Sequence, residues 1–246
     1  QWNGNNDWVR QGVFGTRNYT YLNNHSSMLS LRYYHRRVDD RLGRGSGDYY
    51  VPGRWQFVAN WETDPSKVIR YTFGVDANTE DLGEKWLTTT TGINYRPVDN
   101  FSLSAEVSYA ERDGLLVYRG NGRYTSFEAT QWSPKFTMDY FINAKQQLRF
   151  GMQWTGLKAN ENKFLQVNPN RIEQLHEVPK PNLTSDNFTI SRMSFQARYR
   201  WEIAPLSDLF VVYTRGGNLP GNTFDDYTGL LTEAWSEPVV DTLVIK

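Results

Sequence analysis

The chain has 246 residues, with Lys+Arg 27 against Asp+Glu 27, no cysteine, and 9 Trp, 15 Tyr and 13 Phe. This composition excludes disulfide scaffolds, thiolate metal sites and cysteine nucleophiles, and a formal charge of zero gives no bulk field for nucleic acid. The aromatic content argues against disorder. A mean hydropathy of −0.66, with no apolar run near the roughly 20 residues a spanning helix needs, argues against a helical membrane protein.

Taken in chain order, the predicted elements are strands. A weak one falls near Val9 to Leu22, and another runs from Leu29 to about Arg37. From Arg54 to Glu62, Trp55, Phe57, Ala59 and Trp61 alternate with Arg54, Gln56 and Asn60; Ile69, Tyr71, Phe73 and Val75 then alternate with Arg70, Thr72, Gly74 and Asp76. A weaker strand joins Leu87 to Tyr95. Phe101 to Tyr109 is close to an ideal amphipathic strand, with Ser102, Ser104, Glu106 and Ser108 on its polar side. Phe136 to Ile142, Leu148 to Trp154 and Met193 to Ile203 alternate in the same way, the last against Arg192, Gln196, Arg198, Arg200 and Glu202. Leu209 to Thr214 and Thr242 to Lys246 complete the set, and no segment of helical periodicity competes.

Short turns built on Pro, Asp, Asn or Ser are predicted at 63–66, 97–100, 143–146 and 204–208. Long polar connections are predicted at 38–53, 78–85, 111–131, 158–187 and 215–237. Short turns alternating with long loops, on strands of about 9–11 residues, are the pattern of a membrane-spanning barrel. Aromatic residues near strand ends, Trp61, Tyr71, Tyr95 and Trp201 beside short turns and Trp55, Tyr109, Trp132 and Trp154 nearer the long loops, are expected to face lipid as interfacial girdles. A soluble sandwich would have to bury the opposite, charged face unpaired. The predicted fold is therefore all-β: a transmembrane antiparallel up-and-down β-barrel, residues 1–246 forming one outer-membrane barrel domain that is a portion of a longer protein.

The polar face, read as lumen-lining, carries Arg32, Arg36, Arg54, Arg70, Arg96, Lys135, Arg149, Arg192, Arg198 and Arg200 against Asp76, Glu106, Asp139 and Glu202. Two readings stand: a passage favouring anionic solutes, or acids and bases paired across neighbouring strands into a filled interior. Catalytic signals are weak. Only His25, His35 and His176 are available, and no nucleophile signature, H-E-x-x-H, P-loop or dinucleotide fingerprint accompanies them. Gly43-Arg44-Gly45-Ser46-Gly47 and Gly120-Asn121-Gly122 are loop-tip glycines with no following helix. Asp39, Asp40 and Asp48 could share Ca²⁺ by oxygen ligation, although a hydrated acidic loop explains them as well. N-x-[ST] at Asn18, Asn24, Asn100, Asn182 and Asn187 reflects composition. No metal and no cofactor is expected. Leu115-Leu116-Val117-Tyr118 and Phe164-Leu165-Gln166-Val167 are apolar tetrads in the long connections, read as strand extensions, loop packing or partner contacts.

The stretch Ser207-Asp208-Leu209-Phe210-Val211-Val212-Tyr213-Thr214-Arg215, followed by Trp235-Ser236-Glu237-Pro238 and Thr242-Leu243-Val244-Ile245-Lys246, resembles the C-terminal outer-membrane barrel domain of large bacterial surface proteins that carry an N-terminal family-nine-like carbohydrate-binding domain. The resemblance is sharpest over these residues; the closing strands of TonB-dependent receptors are the runner-up, though no plug or TonB box is visible. It implies a bacterial outer-membrane location, outer-membrane lipid and lipopolysaccharide as surroundings, other surface or periplasmic proteins as partners, and no nucleic acid. It implies an architecture and supplies no activity. The expected function is a non-enzymatic barrel acting as a channel, or as membrane anchor and partner-binding platform of a surface assembly. The alternative is a barrel hydrolase acting on lipid or peptide through His176 or His35.

Overall fold

Period-two alternation with turn residues between the runs builds one large antiparallel sheet. The computed structural model describes residues 10–42, 47–180, 184–220 and 226–246. In chain order the elements are β1 (Gly12–Thr20), β2 (Ser26–Tyr34), β3 (Arg37–Asp39), β4 (Tyr49–Val51), β5 (Arg54–Glu62), β6 (Ile69–Thr79), β7 (Lys85–Val98), β8 (Phe101–Gly120), β9 (Arg123–Asn143), β10 (Gln146–Gln166), β11 (His176–Glu177), β12 (Phe188–Ala204), β13 (Ser207–Pro220), α1 (Tyr227–Ser236) and β14 (Val240–Ile245). The main sheet runs β1-β2-β5-β6-β7-β8-β9-β10-β12-β13-β14 in sequence order, with β11 added beside β10 and β3–β4 forming a separate hairpin. Every neighbouring pair along that path is antiparallel. Among the described residues the sheet does not close into a barrel, and β1 and β14 are its two edges.

The strands are cut where the turn chemistry cuts them. Asp64 Oδ1 accepts from the Ser66 amide at 2.9 Å and from the Ser66 hydroxyl at 2.7 Å, closing the β5–β6 connection, and Asn143 Oδ1 accepts from the Lys145 amide at 2.9 Å before β10. These bonds to Ser66, with a further one from Asn24, hold the Asp64 carboxyl below its ordinary value. The β7–β8 connection is only Asp99-Asn100, because Pro97 and Val98 belong to β7. The opposite end of the sheet carries the longer connections around β3–β4, β11 and α1.

Four of the predicted long connections hold regular structure; that at 38–53 holds the β3–β4 hairpin but for Arg37. The predicted 111–131 loop is strand: β8 and β9 continue past their alternating halves and join at Asn121-Gly122, with Gly120, Asn121 and Gly122 at φ of 98°, 52° and 70°. Three consecutive left-handed residues suit Gly and Asn and make this turn tight. The 158–187 loop likewise begins with strand as far as Gln166. The 215–237 loop holds a helix, α1, whose N-cap Asp226 accepts from the Gly229 amide at 2.6 Å. Ten residues were too short a window for helical periodicity to stand out. The weak first strand lies at Gly12–Thr20; Val9, Gly43 to Ser46 and Asn182 lie outside the described residues.

Candidate functional site

Register divides the sheet into two faces. One holds Trp55, Phe57, Trp61, Tyr71, Phe73, Tyr95, Trp132 and Trp201, all between 37% and 53% exposed. Exposed aromatic and aliphatic side chains side by side on neighbouring strands form an apolar surface far wider than isolated exposed residues would. Tyr109 stacks on Trp132 across the β8–β9 pair at 4.8 Å between centroids. Seven of the eight expected girdle aromatics thus share this open face, and Trp154 departs from them. It is 4% exposed because α1 lies over it: Trp154 packs with Met193, Leu230 and Ala234, and its indole N–H donates to Ser191 Oγ at 2.9 Å. Ser191 Oγ donates in turn to the Leu230 carbonyl at 2.8 Å. Trp154 is a floor for the helix, and the sequence signal for that was missing because α1 itself was not seen.

The opposite face is polar and cross-linked. Arg32 Nη1 donates to Gln56 Oε1 at 3.4 Å, and Gln56 Nε2 donates to both oxygens of Asp76, at 3.2 and 3.1 Å. Asn78 Nδ2 also donates to Asp76. Arg149 Nε pairs with Asp139 at 2.5 Å, Arg200 with Asp208 at 3.0 Å, Arg96 with Asp99 at 3.5 Å, and Arg70 stands 3.9 Å from Glu62. Arg54 Nη1 bonds Asp81 Oδ1 at 3.0 Å, while Arg192, among the described residues, has only the Asn218 amide oxygen, at 3.2 Å. Lys135, opposite Glu106 in register, and Arg198, opposite Arg149, have no ion-pair partner among the described residues. Glu202 stands opposite Asp208 across β12–β13. Arg36 departs from the expectation: it falls between β2 and β3, off the ladder, with its guanidinium 4.3 Å from the Tyr50 ring centroid.

Above the alternating half, the long-connection end becomes a packed cap. Tyr49 and Val51 of β4 meet Tyr124 of β9, Leu165 of β10 and Val167 in one cluster. Phe127, Ala129, Leu157 and Ala159 form a second cluster on the other side of the same strands. Both apolar tetrads contribute here, as strand extension and packing. Ion pairs tie the cap to the sheet: Arg37 and Arg54 to Asp81, Lys163 Nζ to Glu84 at 2.9 Å, and Arg112 to Glu80 at 2.6 and 3.0 Å. Glu80 is 5% exposed, and Arg112 also lies 4.2 Å from the Trp86 ring centroid. Loops entering from the β2–β5–β6 side therefore reach β8, β9 and β10, several strands away in the sheet order. Lys163 is raised by its bond to Glu84, and burial pushes the Tyr124 hydroxyl up to about 12 and the Tyr49 hydroxyl still higher, with Asp39 adding to both. The acids Glu80, Asp81 and Glu84 were missed in the sequence. Three carboxylates within a five-residue connection were the available signal, but nothing in the spacing says which cations they meet.

The other candidates do not assemble. His25 packs edge-on to Trp61 and His35 to Tyr33, and His176 is placed by backbone pairing with Gln166; no histidine ring bonds a carboxylate or hydroxyl among the described residues. Asp39 is occupied by Arg37 at 3.1 Å and by the Arg41 and Leu42 amides. No group of three or more His, Asp or Glu is placed to hold a cation among the described residues, and Asp39, Asp40 and Asp48 form no such group. A cavity of about 400 Å³ on the polar face beneath the cap is lined by Tyr34, Arg37, Arg54, Gln56, Asp76 and Trp86 among others. In comparisons with known proteins, a family model described as a domain of unknown function, DUF5916, matches residues 8–246. No curated protein and no solved structure matches the chain.

Proposed function

From a chain that belongs to the DUF5916 family, we propose an outer-membrane β-barrel domain, non-enzymatic, serving as membrane anchor and partner-binding platform of a bacterial surface assembly. The observation that carries the reading is the two-faced sheet: a continuous band of exposed aromatics on one face and hydrogen-bonded charge on the other. Water disfavours the first face and hydrocarbon the second, so lipid outside and an aqueous interior inside suit both. Short turns at one end and long connections at the other support a single orientation across the bilayer, long connections outward. The surroundings implied are outer-membrane lipid and lipopolysaccharide, and the cap is the surface for other surface or periplasmic proteins. The resemblance to the barrels that follow family-nine-like carbohydrate-binding domains points the same way.

Platform is preferred to channel because the cap loops reach across the long-connection end and five of the ten polar-face cations, Arg54, Arg70, Arg96, Arg149 and Arg200, have ion-pair partners. The channel reading keeps one specific support: among the described residues Lys135 and Arg198 have no ion-pair partner, and Arg32 and Arg192 are each bonded to a side-chain amide oxygen. Fractionation and gel mobility of the full-length protein test the proposal. It is expected in the outer-membrane fraction, migrating faster unheated than boiled, with little or no conductance in planar bilayers. Recovery in a salt-washed soluble fraction, with no heat-dependent mobility, would contradict the barrel; a steady anion-selective current would replace platform by channel.

A further inference from the structure

Where the polar face crosses β9, β10 and β12, a glycine lies at its centre. Gly151 of β10 stands opposite Thr137 of β9 and Gln196 of β12. Two residues along the strands, on the same face, Lys135, Gln153 and Ser194 form the row on one side. Asp139, Arg149 and Arg198 form the row on the other. Every side chain around Gly151 is therefore polar, and none is buried.

Glycine inside a strand weakens it, and commonly marks a bulge or the close approach of another backbone or a ligand. There is no bulge here: the ladders to β9 and β12 run through Gly151 without a register shift. No backbone approaches either, because a Cβ at Gly151 would meet no atom of the described residues within 4 Å. Gly74 and Gly92 on the same face differ. A Cβ at Gly74 would lie 2.7 Å from Asn60 Oδ1, and one at Gly92 would lie 2.6 Å from Thr72 Oγ1, so neighbours already fill those spaces. Gly151 is the floor of an open hollow.

Charge around this hollow is unbalanced. Arg149 and Arg198 stand directly opposite each other, an arrangement that like charges disfavour. Asp139 pairs with Arg149 at 2.5 Å, and Arg198 has no ion-pair partner among the described residues. Lys135, at the far corner, has none either, although Glu106 stands opposite it. On the rim, Lys135, Arg149 and Arg198 thus face the single carboxylate of Asp139, an excess of two positive charges. Just outside it, Glu106 beyond Lys135 and Arg192 beyond Ser194 offset each other. Diagonal neighbours in a ladder are about 7–8 Å apart, within reach of long side chains, so Lys135 and Arg198 can both meet an ion over Gly151.

We propose that this hollow binds a phosphate group, as the free ion or as a small phosphate monoester, held over Gly151 by Lys135, Arg149 and Arg198. A phosphate monoester carries about −1.5 to −2 charges at pH 7 and three acceptor oxygens, which matches the excess. A carboxylate would leave one cation unmet. Arginine meets phosphate as a fixed fork and lysine as a point charge. The bound group also relieves the repulsion between Arg149 and Arg198. The site needs only that this face meets water, so it stands apart from the barrel reading.

Isothermal titration calorimetry of full-length protein in detergent, in sodium chloride at about 0.15 M, tests the site. Inorganic phosphate or glycerol phosphate is expected to bind saturably, one per chain, and acetate more weakly than either. Tighter binding of inorganic phosphate supports the free ion as ligand, and tighter binding of glycerol phosphate supports an ester. Arg198→Gln and Lys135→Gln should each weaken binding about tenfold, the loss of one charge-assisted hydrogen bond. Gly151→Val changes no charge and suits a strand, yet should abolish binding by filling the floor. Arg32→Gln, on the same face in β2, should leave binding unchanged. Circular dichroism checks folding; should Gly151→Val fail that check, the Arg198 and Lys135 variants decide. No saturable binding of either phosphate, binding that survives Gly151→Val, or acetate binding as tightly would overturn the inference. Equal weakening by Arg32→Gln would also overturn it, since a diffuse field would then explain the binding.

Discussion

β9 passes through two environments, and the contrast between them explains most of the molecule. Between Lys135 and Asn143 it alternates, Phe136, Met138 and Tyr140 on one face and Lys135, Thr137 and Asp139 on the other, as a single sheet layer with one apolar and one polar face does. Between Tyr124 and Ala129 the same strand is almost wholly buried on both faces, Tyr124 against the β3–β4 hairpin and Phe127 against Phe188 at 5.0 Å between ring centroids. The lower half needs its surroundings to hide one face, whereas the cap supplies its own cover from loops. Under the proposed barrel reading the lower half is the part that would depend on a membrane, and the cap is a small folded body resting on it.

Breaking the cap core gives the largest expected effect. Phe127→Ala removes a fully buried ring and is expected to destabilise the cap by about 3–5 kcal/mol. The readout is hydrogen exchange and protease cleavage between residues 115 and 167, which should rise sharply. Phe57→Ala, on the exposed apolar face, should leave cap protection unchanged. Equal effects of the two would erase the distinction between the regions.

The ties between the regions come next. Glu80→Gln leaves the Arg112 guanidinium without its carboxylate, at an expected loss of about 2 kcal/mol, less than for a fully buried pair because Arg112 keeps some water. Faster exchange should be confined to residues 80–84 and the adjoining turn of β8. A double variant Glu80→Gln/Arg112→Gln should lose less than the sum of the two single changes; strict additivity would mean that the pair carries no coupling.

Legibility in the sequence follows the same division. Strand positions below the cap, such as Arg54–Glu62 in β5, are plain because one-sided burial forces alternation. Above it, Thr125, Ser126 and Phe127 are buried together, so period two disappears and the sequence reads as a polar loop. The polar-face arginines were identifiable by type and spacing, but their partners depend on register, which places Arg149 beside Asp139 and leaves Arg198 beside Arg149. Trp154 shows the remaining limit: its alternation is correct, and only the position of α1 decides that it faces a helix.

The smallest effect is acid sensitivity. Glu161 accepts from Lys180 Nζ and from the Asp186 amide at 2.7 Å, and these bonds hold its carboxyl below the ordinary glutamate value. A carboxyl lowered in the folded state contributes stability above its unfolded value of about 4.3, and that stability is lost as pH falls through the folded value. Exchange of residues 178–180 and 184–187, taken relative to the intrinsic amide rate at each pH, should therefore be flat from pH 8 to 5 and rise below about 4. A rise centred near pH 6.5 would point to histidine and count against the Glu161 tie.

The central claim, that the apolar face meets lipid and the polar face meets water, is tested most directly by cysteine accessibility along β5 and β6 in full-length protein in its native membrane. Single cysteines at Phe57, Trp61, Tyr71 and Phe73 are expected to resist a membrane-impermeant maleimide and to react with a lipid-soluble one. Cysteines at Gln56, Asn60, Arg70 and Thr72 should do the reverse once the interior is reached from either side. Uniform labelling of both sets by the impermeant reagent would contradict the account.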